Sequence, residues 1–552
     1  MKRLLPLMGV MTFAVYSAVA GIWFRGDSST RQGNWDDLNC WWTWYTYQNH
    51  VTSLSNPGDV NIPYGHTVIV SGTTAKCYSL AAFSNDANHP ATVRIVSGGA
   101  LNVTGGGTEE IGKVTGIYGE AYKYGCLDIQ SGGTNTGILV VGGAGAGIVT
   151  NAGYNSFSSG MKIARDPGSS GTYVHDGGYN RFPYARDIDI GMNGNGKLIV
   201  RSGTFNFTWY ANGNNVVGYT RIGCGDGGGT GVVQIEDGTV FEAGLPYLGG
   251  NATTVGDGRV QIKGGTFKVK SNLGAKHGVD SMWIGAATDD AGGVRDGSYG
   301  EISGWGKVTS VYTEVDSVSA RIGNGVIIAD GEGEERVLDC SAMWQVTNVI
   351  FDAESKRTNG WYAVNKGAVL FPGVNVVLDN GGDNRTFLEG SNAVGCSRGL
   401  VKPDLINAVF VDVRVPYKEA GKNLAVMLLA SDRSDAHAEA LTERYKAIGF
   451  WKVGVFDSRT VFTADTRQGM QRARVDFRYD HNKVSNPDNR LAVLRWNSTA
   501  GKWTRLSTHD EQPDDYIVST GTFTDESDDP VWGIGLFCVA EVEPKGTVIS
   551  VR

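Results

Sequence analysis

The stretch Ile190-Gly191-Met192-Asn193-Gly194-Asn195-Gly196-Lys197-Leu198-Ile199-Val200-Arg201-Ser202-Gly203-Thr204-Phe205-Asn206-Phe207 contains one whole structural unit. An apolar residue followed by glycine opens it. A turn through Gly194 and Gly196 leads into an extended segment around Leu198 and Val200, and a second turn at Ser202-Gly203 leads to Phe205. The second half of the unit returns as Val233-Gln234-Ile235-Glu236-Asp237-Gly238-Thr239-Val240, and again from Val260 to Val269. In Val260-Gln261-Ile262 and Phe267-Lys268-Val269 the apolar side chains fall on one side and the polar ones on the other, the period of a half-buried strand.

The opening pair recurs as Ile111-Gly112, Val141-Gly142, Ile163-Ala164, Ile190-Gly191, Ile222-Gly223, Leu248-Gly249, Ile284-Gly285 and Ile322-Gly323, at intervals of 22 to 38 residues. Strands of three to five residues cannot stand as an independent sheet. Stacked in register, they give every backbone N–H and C=O a partner above and below and extend one apolar interior. Glycine and asparagine supply the positive-φ corners. The pattern predicts an all-β chain whose residues 91–400 form a parallel β-helix, with eight rungs spanning about 40 Å. A globular sandwich would show no such recurring register.

Composition agrees. Glycine makes up 79 of 552 residues, about twice the usual share. With only 14 prolines and no three-residue period, collagen is excluded, and 41% hydrophobic residues exclude a disordered chain. Only nine glycines lie beyond residue 400, so the excess belongs to the repeats.

The unit (Ile-Gly, then Gly-x-Gly, alternating apolars, then Gly-Gly or Ser-Gly with Thr-Phe) resembles the repeats of bacterial autotransporter passengers and PEP-CTERM-associated surface proteins, best between residues 185 and 270. The resemblance implies a right-handed parallel β-helix presented outside the cell. Two hallmarks of those families are missing: no membrane β-barrel of some 250 residues follows, and the tail from Thr547 to Arg552 lacks a sorting span, although Glu543-Pro544 is present.

Lys2 and Arg3, the apolar stretch Leu4 to Tyr16, and Ala18-Val19-Ala20 read as a signal peptide of residues 1–20. Removing its two cations from 49 leaves 47 basic against 57 acidic residues, a net charge of −10. That balance offers no footprint for nucleic acid. No second apolar span follows, so the mature chain is expected to be secreted or held at the surface without a transmembrane segment.

Residues 21–90, rich in aromatics, fit a cap over the open edge of the first rung. Trp41, Trp42, Trp44 and Tyr45 are either a stacking platform for glycans or the plug of that rung, and the plug is favoured beside a chain terminus. Arg25-Gly26-Asp27 is an integrin-type tripeptide that arises easily by chance in this composition. Residues 401–552 read as a mainly-β, sandwich-like module with strands at Val409–Val415, 424–429, 473–477, 491–496, 503–506 and 532–539. One helix is expected over Asp435–Ile448, from an N-cap at Ser434 to Gly449.

Chemistry is sparse. Seven cysteines form no CxxC pair; Cys40 with Cys77 is a candidate disulfide, and buried thiols are expected for most of the others. There is no HExxH, EF-hand or nonapeptide calcium repeat, so no cofactor is expected and calcium has no motif behind it. No catalytic residue is assigned. The nearest approach is Arg186-Asp187-Ile188-Asp189, which puts two carboxylates on an outer face, with Arg165-Asp166, Asp226, Asp257 and Asp289-Asp290 at neighbouring corners. These could line a polysaccharide lyase groove. Turn chemistry alone also explains them. The expected function is a non-catalytic, adhesin-like surface or matrix protein contacting polysaccharide or envelope components, with a secreted lyase or glycoside hydrolase as the alternative.

Overall fold

The computed structural model describes residues 22–25, 30–42, 58–104, 108–112, 115–117, 120–122, 124–182, 187–206, 218–251, 253–270, 280–285, 297–310, 318–332, 336–340, 342–343, 345–348, 350–352, 357–358, 360–364, 369–371, 386–387, 409–415, 423–429, 436–456, 472–479, 481–485, 490–506, 509–512, 517–520, 523–524 and 535–543. The leader expected at 1–20 lies outside them.

The chain winds as a parallel β-helix. Each rung contributes up to three short strands, one to each of three parallel sheets. In the unit that opens the sequence argument these are Ile188–Ile190 (sheet I), Asn195–Ser202 (sheet II) and Thr204–Asn206 (sheet III). The eight apolar residues of the recurring pairs are consecutive Cα partners along sheet I: Ile111 on Val141, Val141 on Ile163, and so on to Ile284 on Ile322. The uneven spacing in sequence is therefore absorbed by the connections and leaves the register intact. Parallel pairing starts before residue 91, since Asp59–Pro63 already lies on Ser79–Phe83 and Thr67–Val70 on Ala91–Ile95.

The glycine after each apolar residue is fixed by space as well as by torsion. Gly191 has φ +69°, and a Cβ there would sit 1.9 Å from the Thr230 carbonyl oxygen of the next rung. Ala164 takes the same corner at φ +55°. A second file of glycines opens the sheet II strands: Gly125, Gly147, Gly171, Gly196, Gly231, Gly258, Gly300, Gly325 and Gly360 are partners in turn. The two files pack against each other across the turn.

The interior follows the predicted alternation. Val260, Ile262, Phe267 and Val269 are fully buried. Phe205, Phe241 and Phe267 are successive partners along sheet III: Phe241 stacks on Phe267 with ring centroids 5.9 Å apart, and Phe205 lies tilted against Phe241 at 5.5 Å. Phe241→Ala should therefore lower the unfolding free energy by about 3–5 kcal/mol, and Phe241→Leu by much less, as read from urea denaturation.

Both ends of the parallel stack meet antiparallel strands. At the start, Ile22–Phe24 pairs with Trp41–Trp42. At the far end, Val369–Phe371 pairs with Asn423–Leu429, which continues through Tyr445–Phe456 and Gly535–Val542 to Arg490–Asn497. A second antiparallel sheet, built on Val409–Val415 and Arg472–Arg478, faces it through Trp451, Phe477 and Phe537. The apolar core of the rungs runs without a break into this sandwich.

The helix expected over Asp435–Ile448 is not formed. A single 3-10 turn spans Ala438–Ala440, and Tyr445 already belongs to a strand. His437 takes a left-handed φ of +47°, which breaks any helix there, and Leu441 is extended. Gly449, read as the end of the helix, sits at a strand irregularity, where a Cβ would meet the Trp451 ring at 2.7 Å. The candidate Cys40–Cys77 bridge is also absent: both are buried thiols, and burial pushes the Cys77 thiol well up.

Candidate functional site

On five successive rungs the residue immediately before the apolar–glycine pair points outward and writes a ladder on the outer wall of sheet I. It reads Lys162, Asp189, Arg221, Tyr247 and Trp283. Arg221 is the hinge of this strip. Its guanidinium donates to Asp189 at 2.7 Å and to Asp187 at 2.5 Å, and Asp187 also accepts from the Tyr219 amide at 3.0 Å. Arg221 also lies over the Tyr219 ring, 5.4 Å from its centroid.

Ile188 and Ile190 point inward and are fully buried, as expected. Asp189 shares their strand but is covered by the arginine. Burial pushes its carboxyl up, against the pull of Arg221. Breaking this pair leaves a buried charge, so Arg221→Met should cost about 3–5 kcal/mol in unfolding free energy, and Arg221→Met with Asp189→Asn should recover much of it.

Tyr247 and Trp283 stack face to face, with centroids 4.4 Å apart and planes 7° from parallel. Both rings are half-buried. Tyr219 tilts 60° against Tyr247 and is 41% exposed.

The other acidic corners pair locally. Asp166 and Glu110 both accept from Arg165, and Asp257 accepts from Arg259. Among the described residues the carboxylates thus meet arginines one or two at a time and do not converge on a groove. Arg186 and Asp289-Asp290 lie outside the described residues. Among the described residues no group of three or more His, Cys, Asp or Glu could hold a metal. Among the described residues no helix is long and apolar enough to cross a membrane.

Of the N-terminal aromatics read as either platform or plug, Trp41 and Trp42 are among the described residues. Trp41 is fully buried between Phe24 and Trp35, each 4.9 Å away by ring centroid, and its indole donates to the Trp35 carbonyl at 2.8 Å. It plugs the first rung and offers no face to a sugar. Trp42 is half-buried on the capping strand. Trp44, Tyr45 and the Gly26-Asp27 of the tripeptide lie outside the described residues.

Comparison with known families, with curated proteins and with solved structures finds no match for this chain. The fold defines its class: a parallel β-helix continued by an antiparallel sandwich.

Proposed function

We propose that the chain is an exported, non-catalytic surface or matrix protein, an adhesin-like rod that binds glycans along one outer wall. The observation that carries this reading is the strip on sheet I. There the exposed Tyr219 ring, the Tyr247–Trp283 stack and the Asp187–Arg221–Asp189 cluster place apolar ring surface beside hydrogen-bonding groups over consecutive rungs. Sugars offer the matching pair of features, apolar C–H faces and a rim of hydroxyls. Catalysis by paired carboxylates needs one to be free to move a proton. Here both are hydrogen-bonded to the same guanidinium, which favours binding over cleavage. The resemblance of the repeats to exported surface proteins supports the location.

Incubating the mature chain with acidic and neutral polysaccharides, with and without calcium, tests this directly. Binding without shortening of the polysaccharide is expected, and Tyr219→Ala should weaken it about tenfold, the scale of one lost aromatic contact. Cleavage would overturn the non-catalytic reading in favour of a lyase or hydrolase. Binding to none of the panel would remove the glycan from the proposal.

A further inference from the structure

The rungs between residues 109 and 180 depart from the apolar interior. Since Ile111 points inward, Glu109 must as well, and it is fully buried, while Glu110 points out to Arg165. Glu109 Oε2 accepts from Asn135 Nδ2 at 2.9 Å, and the same amide nitrogen donates to Asn155 Oδ1 at 3.1 Å. The chain of bonds continues through Asn155 Nδ2 to the Tyr173 hydroxyl, which donates to Asn180 at 2.7 Å; Asn180 in turn meets His175 at 3.0 Å and Asn151 at 3.0 Å. Asn135, Asn155 and Asn180 are successive partners, so one ladder of amides carries the whole network.

The donors and acceptors in this network do not balance. Among the described residues Glu109 Oε1 and Asn135 Oδ1 are both buried acceptors with no hydrogen-bond donor. They belong to the two groups already joined by the 2.9 Å bond. A single hydrogen placed between them would satisfy both at once, and leaving two buried acceptors unsatisfied is costly.

We infer that the core of the rod holds a bound proton: Glu109 is a neutral carboxylic acid in the folded chain, with Oε1–H donating to Asn135 Oδ1. Among the described residues, the groups facing Glu109 from the neighbouring strands bring no compensating cation. Cys77, on Thr74–Cys77, is a buried thiol whose ionisation burial suppresses, and burial likewise suppresses ionisation of the Tyr173 hydroxyl on Ser170–Asp176. His175, farther along the network, is pulled down by burial to about 4 and is neutral near pH 7. Leu80 and Leu139 are the cross-strand partners on either side, and Val103 lines the sheet III side. Desolvation accordingly raises the Glu109 carboxyl from 4.5 to about 7, against the pull of Asn135.

The sign of the linkage follows. Glu109 binds its proton more tightly folded than unfolded, so its contribution to stability is complete below about pH 4.5 and is lost as pH rises through about 7. His175 runs the opposite way: its contribution is present above pH 6.5 and lost as pH falls toward 4. Glu109→Gln separates the two, since its amide can donate to Asn135 Oδ1 at every pH and leaves His175 in place.

Hydrogen exchange of the amides in Thr108–Ile111 and Thr134–Val141, compared between pH 5 and pH 8 after correction for intrinsic rates, reads the effect. In the parent chain these rungs should open up to about 10²-fold more at pH 8 than at pH 5, relative to Glu109→Gln. The infrared difference spectrum of parent minus Glu109→Gln at pH 5 should carry a positive protonated-carboxyl band. Equal pH dependence in the two proteins would overturn the inference. So would restored protection at pH 8 in the parent alone on adding potassium or calcium, because a cation would then be the missing partner. A Glu109→Gln chain that failed to fold would also count against it, since a neutral acid tolerates its amide isostere.

Discussion

Gly223→Val is expected to leave no cooperatively folded rod. Gly223 holds φ +63°, a region closed to β-branched residues, and a Cβ there would lie 1.9 Å from the Asp257 carbonyl oxygen and 2.7 Å from the Gly258 nitrogen. The obstacle is backbone, and that backbone is held from both sides: the Gly223 amide donates to Ile190 at 2.8 Å, and Asp257 is paired with Thr230 and Tyr299. A shift at one corner would have to pass to every rung that shares the ladder. The cost should exceed about 4–5 kcal/mol, the range reserved for severe strain and core disruption. Gly228 supplies the control five residues away. It has φ +74° but is exposed, with nothing within 4 Å of the added carbon, so Gly228→Ala should cost only the left-handed strain of about 1–2 kcal/mol. Far-UV circular dichroism and protease resistance of the two variants check the contrast. Similar behaviour of both would mean that torsion alone, and not the stacking of rungs, demands the glycine.

The same contrast shows why the rods of the fold were legible in the sequence. A positive-φ corner and a period-two strand are local chemistry, so Ile190-Gly191 and Val260-Gln261-Ile262 carry their conformations in a few residues. Stacking then follows, because identical short strands have nowhere else to bury their apolar side. The second file of glycines was harder to see. Gly231 looks like one more turn residue until Gly223 is known to sit beside it, where a Cβ on Gly231 would lie 2.3 Å from the Gly223 nitrogen.

The outer strip was legible only in part. Asp187 and Asp189 could be placed on an outer face from their own strand, but their partner Arg221 lies more than thirty residues on and meets them only because one rung follows another. A signal existed: Asp189, Arg221, Tyr247 and Trp283 each stand directly before an apolar–glycine pair, so reading that column down the repeats yields the ladder. Glu109 was open to the same parity argument, two residues before Ile111. The helix over Asp435–Ile448 failed for the opposite reason. Alanine spacing is a weak local preference, and pairing of Tyr445–Phe456 on two strands outweighs it.

Removing residues 401–552 should turn the rod into an aggregating species. The last described strand of sheet III, Val369–Phe371, is covered by the antiparallel strand Asn423–Leu429, and the rung core continues into the sandwich. Without them, a strand edge with unpaired N–H and C=O groups and an apolar cross-section face water together, the combination that templates edge-to-edge association. The chain would then associate end to end, since the strand edge and the apolar cross-section are exposed at the same end of the rungs. Light scattering after size exclusion should show large assemblies for residues 21–400 and a discrete species for residues 21–552. In the full-length protein, Val426→Pro removes one donor from the covering strand and should raise exchange at Val369–Phe371 while the distant rungs around Phe241 stay protected. If residues 21–400 instead ran as a discrete species with unchanged unfolding, the sandwich would be a passenger on a rod that closes itself.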